Sequence, residues 1–149
     1  MSDPRELYQQ VILEHNKKPR NFGTLDACTH HAEGHNPLCG DQLELTLIVE
    51  DGLVQDIRFQ GSGCAIDVAS ASLMTGAVKG KPVAEAEAMA EQFRGMVRGD
   101  LEPGPQTSLL GKLTLFSGVR NLPSRVKCAV LPWATLHAAL KGEAEASTE

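Results

Sequence analysis

The fold is decided by residues 43–59, which read LELTLIVEDGLVQDIRF. Every second residue over 43–49 is apolar, and this alternation is typical of a strand with one buried face. Residues 53–59 alternate in a similar way. Asp51 and Gly52 separate the two halves, and this residue pair favours a tight hairpin turn. The stretch therefore predicts two antiparallel strands.

The alternation also predicts the register of this hairpin. A two-residue turn sets leucines of the first strand beside charged residues of the second. A three-residue loop over residues 50–52 instead keeps the apolar side chains on one face, because it pairs Val49 with Leu53. Leu45 then faces Ile57. We therefore expect the three-residue loop, with its glycine at positive φ.

Helices are predicted on both sides of the hairpin. The first begins at Ser2-Asp3-Pro4, where a capping side chain precedes proline, and closes at Lys17-Lys18-Pro19. Further helices are predicted over residues 64–79, 83–97 and 131–141. Pro132 falls in the last of these, so we expect it in the first turn, where proline breaks no hydrogen bond. Residues 113–119 are apolar, and their pattern does not define an element type.

The remaining segments are rich in polar residues, proline and glycine. Residues 21–37 are predicted to form a loop with at most one short edge strand. Residues 99–111 contain two prolines and three glycines, a composition typical of a loop. The pattern as a whole predicts an α+β fold, in which helices cover one face of a small antiparallel sheet.

Composition limits the classes of function. The chain has 149 residues, of which 42% are hydrophobic and 22% charged, as in an ordinary globular protein. We expect a single domain over residues 1–149, with flexible ends near residues 1–6 and 142–149. A formal net charge of −5 and an aromatic content of 4% argue against a nucleic-acid groove. We find neither a signal sequence nor an apolar run long enough to cross a bilayer. We therefore expect a cytoplasmic protein without a membrane segment.

Four cysteines remain to be explained, and a domain of this size does not need disulfides to fold. Cys39 lies in the turn sequence Asn36-Pro37-Leu38-Cys39-Gly40-Asp41. Because Cys39 and Asp41 are two residues apart, a thiolate and a carboxylate can converge on one zinc or iron ion. The alternative is a buried cysteine with Asp41 as a local cap.

Two more cysteines are predicted at the ends of elements. Cys64 follows two glycines at the start of a helix, where the helix dipole and free N–H groups favour thiolate. Cys128 follows Arg125 and Lys127, just before the predicted last helix, and nearby cations also favour thiolate. The alternative interpretation is that Cys64 and Cys128 are small residues of the hydrophobic core. Their spacing matches no zinc finger, so the fold must assemble any shared site.

The other candidate ligands have less support from their surroundings. Cys28 lies in a polar loop beside His30 and His31, where a second metal site is an alternative to the solvated loop that we favour. His15 and His137 fall on predicted helices, and we interpret them as surface residues or as buried residues with satisfied hydrogen bonds.

Together these motifs resemble those of the U-type iron–sulfur cluster assembly proteins, the family of IscU, SufU and the N-terminal domain of NifU. The resemblance rests on three cysteine motifs: Asn36 to Asp41, Gly61-Ser62-Gly63-Cys64-Ala65 with Ala69-Ser70-Ala71-Ser72, and Lys127-Cys128. Leu7-Tyr8-Gln9-Gln10-Val11-Ile12 and Pro19-Arg20-Asn21 are also similar. The resemblance extends from about Leu7 to Lys141 and implies a sheet of about three strands.

Two features are similar to the SufU branch of that family. Lys127 stands where scaffold-type IscU members carry histidine, and residues 99–111 match an insertion that those members lack. The branch implies one zinc ion held by Cys39, Asp41, Cys64 and Cys128. It also implies that the chain accepts sulfur from a SufS-type cysteine desulfurase and works with downstream Suf assembly proteins or apo iron–sulfur proteins.

Within this interpretation Cys39 is the predicted sulfur acceptor, because a turn moves more easily than a helix terminus. Arg125 and Lys127 are predicted to support the site by steering a partner or stabilising a thiolate. One alternative is a scaffold that builds a [2Fe–2S] cluster, or binds iron, on the same residues. Another is a structural zinc module. We expect the site to be open to solvent, because a partner must reach it.

Overall fold

The predicted α+β class is confirmed by a computed structural model that describes residues 4–37, 40–101, 109–143 and 145–147. The described strands are β1 (His30–Asn36), β2 (Asp41–Glu50), β3 (Leu53–Ser62) and β4 (Glu145–Ser147). The described helices are α1 (Pro4–Lys17), α2 (Ala65–Val78), α3 (Val83–Arg98), a 3₁₀ helix (Gly111–Asn121) and α4 (Pro123–Leu140). No helix in these ranges has the length and apolar character needed to span a bilayer.

The strands form one sheet in the order β3-β2-β1-β4. The pairs β1–β2 and β2–β3 are antiparallel, whereas β4 lies parallel to β1. β1 is therefore an interior strand rather than the short edge strand predicted within residues 21–37. β4 lies within residues 142–149, and the flexibility expected for that segment stays a prediction. A three-residue strand carries too little alternation to be detected in the sequence.

The loop and register predicted for the β2–β3 hairpin are wrong. Glu50 pairs with Leu53, so the turn has two residues, and both Asp51 (φ 55°) and Gly52 (φ 74°) are left-handed, as in a type I′ turn. The predicted positive φ of Gly52 is confirmed. A β-bulge at Gln55 then restores the pairing of apolar residues, because it shifts the register by one residue. The bulge places Leu47 opposite Ile57.

The core lies between one face of the sheet and the helices. In β2, Leu43, Leu45 and Leu47 are buried, and in β1 alternate residues point to the same side. α4 approaches β1 so closely that a Cβ atom at Gly34 would lie 2.1 Å from Oγ1 of Thr135. Glycine at position 34 therefore permits the contact between helix and sheet.

α2 lies against α1 and α4 and carries buried Ala and Ser residues. Small side chains allow close packing, and their hydroxyls find partners. The Ser70 hydroxyl donates to the carbonyl of Ala129 at 2.6 Å, and this bond joins α2 to α4 at the turn that contains Cys128. The predicted helices over 64–79 and 83–97 match α2 and α3 closely.

The last helix begins earlier than predicted. α4 starts at Pro123 rather than near residue 131, so Pro132 lies inside the helix and not in its first turn. The proline lacks an N–H, and the carbonyl of Cys128 therefore loses its usual intrahelical donor. Leu131 and Trp133, on either side of the proline, are fully buried. Their packing in the core favours the continuous helix despite the lost hydrogen bond.

Candidate metal centre

Asp41 joins the start of β2 to the start of α2. Its side chain is buried, and its Oδ1 accepts a hydrogen bond from the backbone N–H of Cys64 at 2.9 Å. Its Oδ2 lies 4.0 Å from the Cys64 Sγ. One carboxylate oxygen thus satisfies a free N–H at the helix N-terminus, and the other faces the thiol.

Cys64 occupies the N-cap position of α2, as the sequence predicts, and its side chain is half-buried. The pKa of the Cys64 thiol is lowered to about 6, mainly by a hydrogen bond with the Cys128 side chain. The backbone N–H groups of Asp67 and Ile66 lower this pKa further, whereas burial and the charge of Asp41 raise it. The surroundings therefore favour the thiolate form.

Cys128 lies in the second turn of α4 rather than before the helix, which corrects its predicted place at an element boundary. Its side chain is fully buried. The thiol donates to the carbonyl of Ser124 at 3.5 Å, and the Asn36 Nδ2 lies 3.6 Å from the Cys128 Sγ as a donor. A backbone carbonyl and a buried amide thus fix the position of the sulfur.

The structure brings Asp41, Cys64 and Cys128 together from three elements. A carboxylate oxygen and the two Sγ atoms all lie within 4.8 Å of one another. Zinc–ligand bonds of about 2.0–2.3 Å place the donors of one ion within about 4 Å of each other, so small side-chain rotations suffice. Two thiolates and a carboxylate are ligand types that zinc accepts, and the three residues fit such an ion.

Cys39, the fourth residue of the predicted ligand set, lies outside the described residues. On either side of residues 38 and 39 the chain is exposed, at Pro37 and at Gly40, and Gly40 has a left-handed φ of 69°. Pro37 follows Asn36, whose amide contacts the Cys128 Sγ, and Gly40 precedes Asp41. The ligand and acceptor roles of Cys39 stay predictions.

Asp67 is a residue of this region that the sequence analysis missed. It is 2% exposed in the first turn of α2, and its Oδ1 has no hydrogen-bond partner among the described residues. Burial raises the pKa of its carboxyl to about 8, and the nearby charges of Asp41 and Cys64 add to that rise. In a sequence, an acidic residue three positions after the start of a helix usually indicates an exposed capping side chain. The burial of Asp67 could therefore not be recognised from the sequence.

Two further side chains interact electrostatically with the thiols. The exposed guanidinium of Arg125 has a raised pKa, first because of the charge of Cys64 and then because of its hydrogen bond with Cys128. Burial and the charge of Cys64 raise the pKa of Tyr8, whose ring packs edge-on against Phe116 at 5.9 Å. Tyr8 was not a predicted site residue. The predicted role of Lys127, which is half-buried, stays a prediction.

The histidines and Cys28 lie elsewhere. Cys28 is exposed, and the group of three donors near α2 does not include it. His15 is buried, with its Nδ1 2.6 Å from the Ser72 Oγ. His137 is half-buried, and its Nδ1 lies 3.8 Å from the Glu87 Oε1. These two histidines therefore have protein partners, in line with their interpretation from the sequence.

A second group of possible metal donors lies at the edge of the sheet. Donor atoms of Glu33 and His35 on β1 and of Glu145 on β4 lie within 4.8 Å of one another. Both glutamates are exposed and His35 is half-buried. Water can solvate exposed carboxylates fully, so their proximity does not require an ion.

The family model described as the NifU-like N-terminal domain matches residues 7–129. The chain belongs to this family. The family relationship and the geometry of the three donors define the chain as a member of the IscU and SufU group of iron–sulfur cluster assembly proteins, so the resemblance inferred from the cysteine motifs is confirmed.

The relatives of this chain include proteins named SufU and proteins named IscU. The chain is 41% identical over 130 residues to the zinc-dependent sulfurtransferase SufU of Bacillus subtilis, covering 87% of this chain and 86% of the relative. It is 40% identical over 146 residues to the iron–sulfur cluster assembly scaffold protein IscU of Streptococcus pyogenes, covering 98% and 90%. Sequence identity therefore does not choose between the two functions.

The fold is also shared with a solved structure. A crystal structure of a candidate iron–sulfur cluster assembly scaffold protein for the SUF system, from Fervidobacterium islandicum, superposes with a TM-score of 0.83 at 34% identity. The superposition covers 88% of this chain and 94% of that one. The arrangement of sheet and helices in this chain is thus shared with that crystal structure.

Proposed function

We propose that this chain is a zinc-dependent sulfur acceptor in iron–sulfur cluster assembly. In this proposal Cys39, Asp41, Cys64 and Cys128 hold one zinc ion, and Cys39 receives sulfur from the persulfide of a SufS-type cysteine desulfurase. The observation that carries the proposal is the convergence of Asp41, Cys64 and Cys128, whose donor atoms lie within 4.8 Å of one another.

The burial of the other thiols supports Cys39 as the acceptor. Cys128 is fully buried, so its sulfur is not accessible to a persulfide on another protein in this conformation. Cys64 is half-buried, and its sulfur is held by hydrogen bonds with Cys128 and with backbone N–H groups. Cys39 stands in the sequence between Pro37 and Gly40, both of which are exposed.

The transfer is a thiol–disulfide type of displacement. The thiolate of Cys39 attacks the outer sulfur of the persulfide on the desulfurase cysteine. A new sulfur–sulfur bond forms on Cys39 as the old bond breaks, and the desulfurase cysteine leaves as a thiolate. The step transfers one sulfur atom without a net change in oxidation, so it requires no added oxidant or reductant.

The described side chains prepare this step in separate ways. When bound, zinc acts as a Lewis acid that keeps its cysteine ligands deprotonated at neutral pH. Asp41 fixes the N-terminus of α2, and Asn36 fixes the Cys128 sulfur. The exposed guanidinium of Arg125 lies beside the two thiols and adds a positive charge that attracts an anionic persulfide.

The direct experiment combines metal content with sulfur transfer. Full-length protein is incubated with a SufS-type desulfurase and cysteine, and persulfide on the chain is detected by mass spectrometry. We expect one zinc per chain and a persulfide on Cys39. Transfer at the wild-type rate by a zinc-containing Cys39→Ala variant would contradict the assignment of the acceptor.

The second candidate function is that of a cluster scaffold, which the relatives named IscU favour. In that case the same residues bind iron or a [2Fe–2S] cluster and pass it to apo iron–sulfur proteins. Cysteine ligation suits either metal. A brown chromophore that this protein transfers to an apo-ferredoxin would favour the scaffold, whereas colourless protein with one zinc favours the sulfur acceptor.

The third candidate is a zinc module with a structural role only. Chelation separates this candidate from the first. A structural ion holds the fold, so its removal should unfold the chain, and the desulfurase should not be stimulated by the zinc-loaded form. The buried core between sheet and helices favours a chain that stays folded after chelation, which circular dichroism measures directly.

A further inference from the structure

Three carboxylates stand in one row across the outer face of the sheet, which points away from the buried side of β1 and β2. Glu33 on β1 lies directly opposite Glu145 on the parallel strand β4, and directly opposite Glu44 on the antiparallel strand β2. Like charges in directly opposite positions of neighbouring strands repel each other and destabilise the pairing. A positive charge beside the row therefore stabilises it.

No described lysine or arginine pairs with this row. The ion pairs within the described ranges lie elsewhere in the fold, and none of them includes Glu33, Glu44 or Glu145. The Glu44 carboxylate accepts a hydrogen bond from the Gln60 amide at 3.4 Å, and an amide carries no charge. The negative charge of three aligned glutamates is thus left to solvent and to any cation that binds there.

His35 distinguishes this row from a patch of acidic side chains. It follows Glu33 by two residues, on the same face of β1, and donor atoms of Glu33, His35 and Glu145 lie within 4.8 Å of one another. A neutral imidazole binds divalent transition metals through a ring nitrogen, and carboxylates add negative charge and oxygen ligands. One nitrogen and two oxygens from two strands thus form one side of a coordination shell.

The surface beside this group is concave. A cavity of about 310 Å³ is lined by Glu33, His35 and Glu44 and by the amide side chains of Gln42 and Gln60. A cavity of this size holds several water molecules, since each takes about 30 Å³ in the liquid. An ion bound by the three converging donors can therefore complete its coordination with water, as divalent cations at oxygen-rich sites commonly do.

We propose that Glu33, His35 and Glu145 form a second metal site, which binds a divalent cation that accepts oxygen and imidazole ligands, such as Mn²⁺ or Fe²⁺. These three ligands include no sulfur, unlike those of the candidate metal centre, so the two sites differ in the metals that they prefer. The bound cation offsets the repulsion within the row and joins β4 to β1. The inference is independent of the sulfur-acceptor role.

The test is Mn²⁺ binding by full-length protein that has been given one equivalent of zinc. Zinc fills the thiol-containing centre, and Mn²⁺ does not displace it, because Mn²⁺ binds a given site least tightly of the divalent first-row metals. Electron paramagnetic resonance of the free Mn²⁺ gives the stoichiometry and the dissociation constant. We expect one saturable Mn²⁺ per chain, with an imidazole nitrogen coupled to the bound ion in pulsed measurements.

Removal of single ligands should weaken this binding. We expect Glu145→Gln and His35→Gln each to weaken Mn²⁺ binding by about tenfold or more, since even outer partners of a metal site contribute about 10–100-fold. In His35→Gln the coupling to an imidazole nitrogen should also disappear, whereas Glu145→Gln should retain it in the Mn²⁺ that still binds. This spectroscopic difference separates loss of a nitrogen ligand from a general loss of negative charge.

Matched controls carry the same substitutions outside the group of converging donors. Glu143 is exposed two residues before Glu145, and His31 is exposed on the same face of β1 as His35. Glu143→Gln and His31→Gln should leave the Mn²⁺ affinity unchanged. Circular dichroism checks the fold of every variant, and we expect all four to fold, because substitutions at the surface change stability little.

Two results would overturn the inference. The first is a wild-type protein without saturable Mn²⁺ binding. The second is equal weakening by the ligand variants and their controls, which would indicate a diffuse attraction of cations to an acidic surface. Because the Mn²⁺ measurement does not depend on sulfur transfer, a wild type that binds Mn²⁺ here but forms no persulfide contradicts the proposed function alone.

Discussion

Two cysteine regions of this chain show opposite trends in sequence and in structure. Cys28 has two histidines close by along the chain, at His30 and His31. Cys64 has no comparable ligand near it in the sequence except Asp67. In the structure, however, Cys28 is exposed in a loop. Cys64 instead meets Asp41 and Cys128 from two other elements.

The comparison teaches that proximity along the chain is a weak guide to a metal site. A ligand needs a sulfur or oxygen atom that is held in place before the ion binds. Around Cys64, the cap from Asp41 and the bond between Ser70 and Ala129 supply that support. The residues next to Cys28 lie in an exposed loop and provide no such support. The contrast between the two cysteine regions can be tested with variants that should differ widely in their effect on zinc binding.

Removal of one ligand should have the largest effect. We expect Cys128→Ala to lower zinc affinity by about 100-fold or more, because loss of a ligand should at least match the loss of an outer partner. Its sulfur is fully buried among fixed donors, so a water molecule cannot replace it easily. Zinc content after dialysis, by elemental analysis, measures the effect. Retention of a full equivalent of zinc would exclude Cys128 as a ligand.

Crowding the space beside the two carboxylates should have the next largest effect. We expect Gly63→Ala to destabilise the protein by about 1–3 kcal/mol, as overpacking does, because its Cβ would lie 2.3 Å from the Oδ2 of Asp67. Zinc affinity should fall as Asp41 moves. Urea unfolding with and without zinc measures both effects.

Gly76→Ala is the matched control for this substitution. A Cβ at Gly76, in the helix α2, meets nothing within 4 Å, and alanine favours a helix by about 1 kcal/mol over glycine. We expect this variant to be as stable as the wild type or more stable. Equal stability of both alanine variants would contradict the close approach at residue 63.

Removal of a support without removal of a ligand should have a smaller effect. The Asn36 Nδ2 donates to the Cys128 Sγ at 3.6 Å from a side chain that is 1% exposed. We expect Asn36→Ala to weaken zinc binding by about tenfold, the lower range for outer partners. Chelator competition measures it, with exposed Gln55 on β3 replaced by alanine as the control. An unchanged affinity would show that the amide does not position the sulfur.

The smallest effect is expected at Cys28. We expect Cys28→Ser to leave zinc content, thermal stability and persulfide formation unchanged, because this exposed cysteine does not belong to either group of converging donors in the described part of the chain. Surface substitutions change stability by about 0.5 kcal/mol or less. Loss of zinc from this variant would reverse the contrast between the two regions.

The sequence-based predictions were accurate where the deciding interactions join residues close together in the chain. The starts of α2 and α3 were predicted because capping positions and proline act within one helical turn. The register of the β2–β3 hairpin was not, because the bulge at Gln55 depends on burial against helices that lie far along the chain. For the same reason the interior position of β1 was missed.

The candidate site divides in the same way. Cys39, Asp41, Cys64 and Cys128 were selected from their local motifs and their resemblance to a family. The structure describes three of these residues, and the role of Cys39 stays a prediction. No local sequence pattern indicated Tyr8 or the burial of Asp67, because both depend on how α1 and α2 pack.

By itself, the sequence determined the α+β class, the hairpin and the residue types that can bind a metal ion. These follow from alternation, turn chemistry and ligand chemistry, which act over a few neighbouring residues. Only the tertiary structure decided that donors from β2, α2 and α4 converge and that Asp67 is buried beside them. Such convergence is set by the packing of elements distant in the chain, and a local pattern carries no record of it.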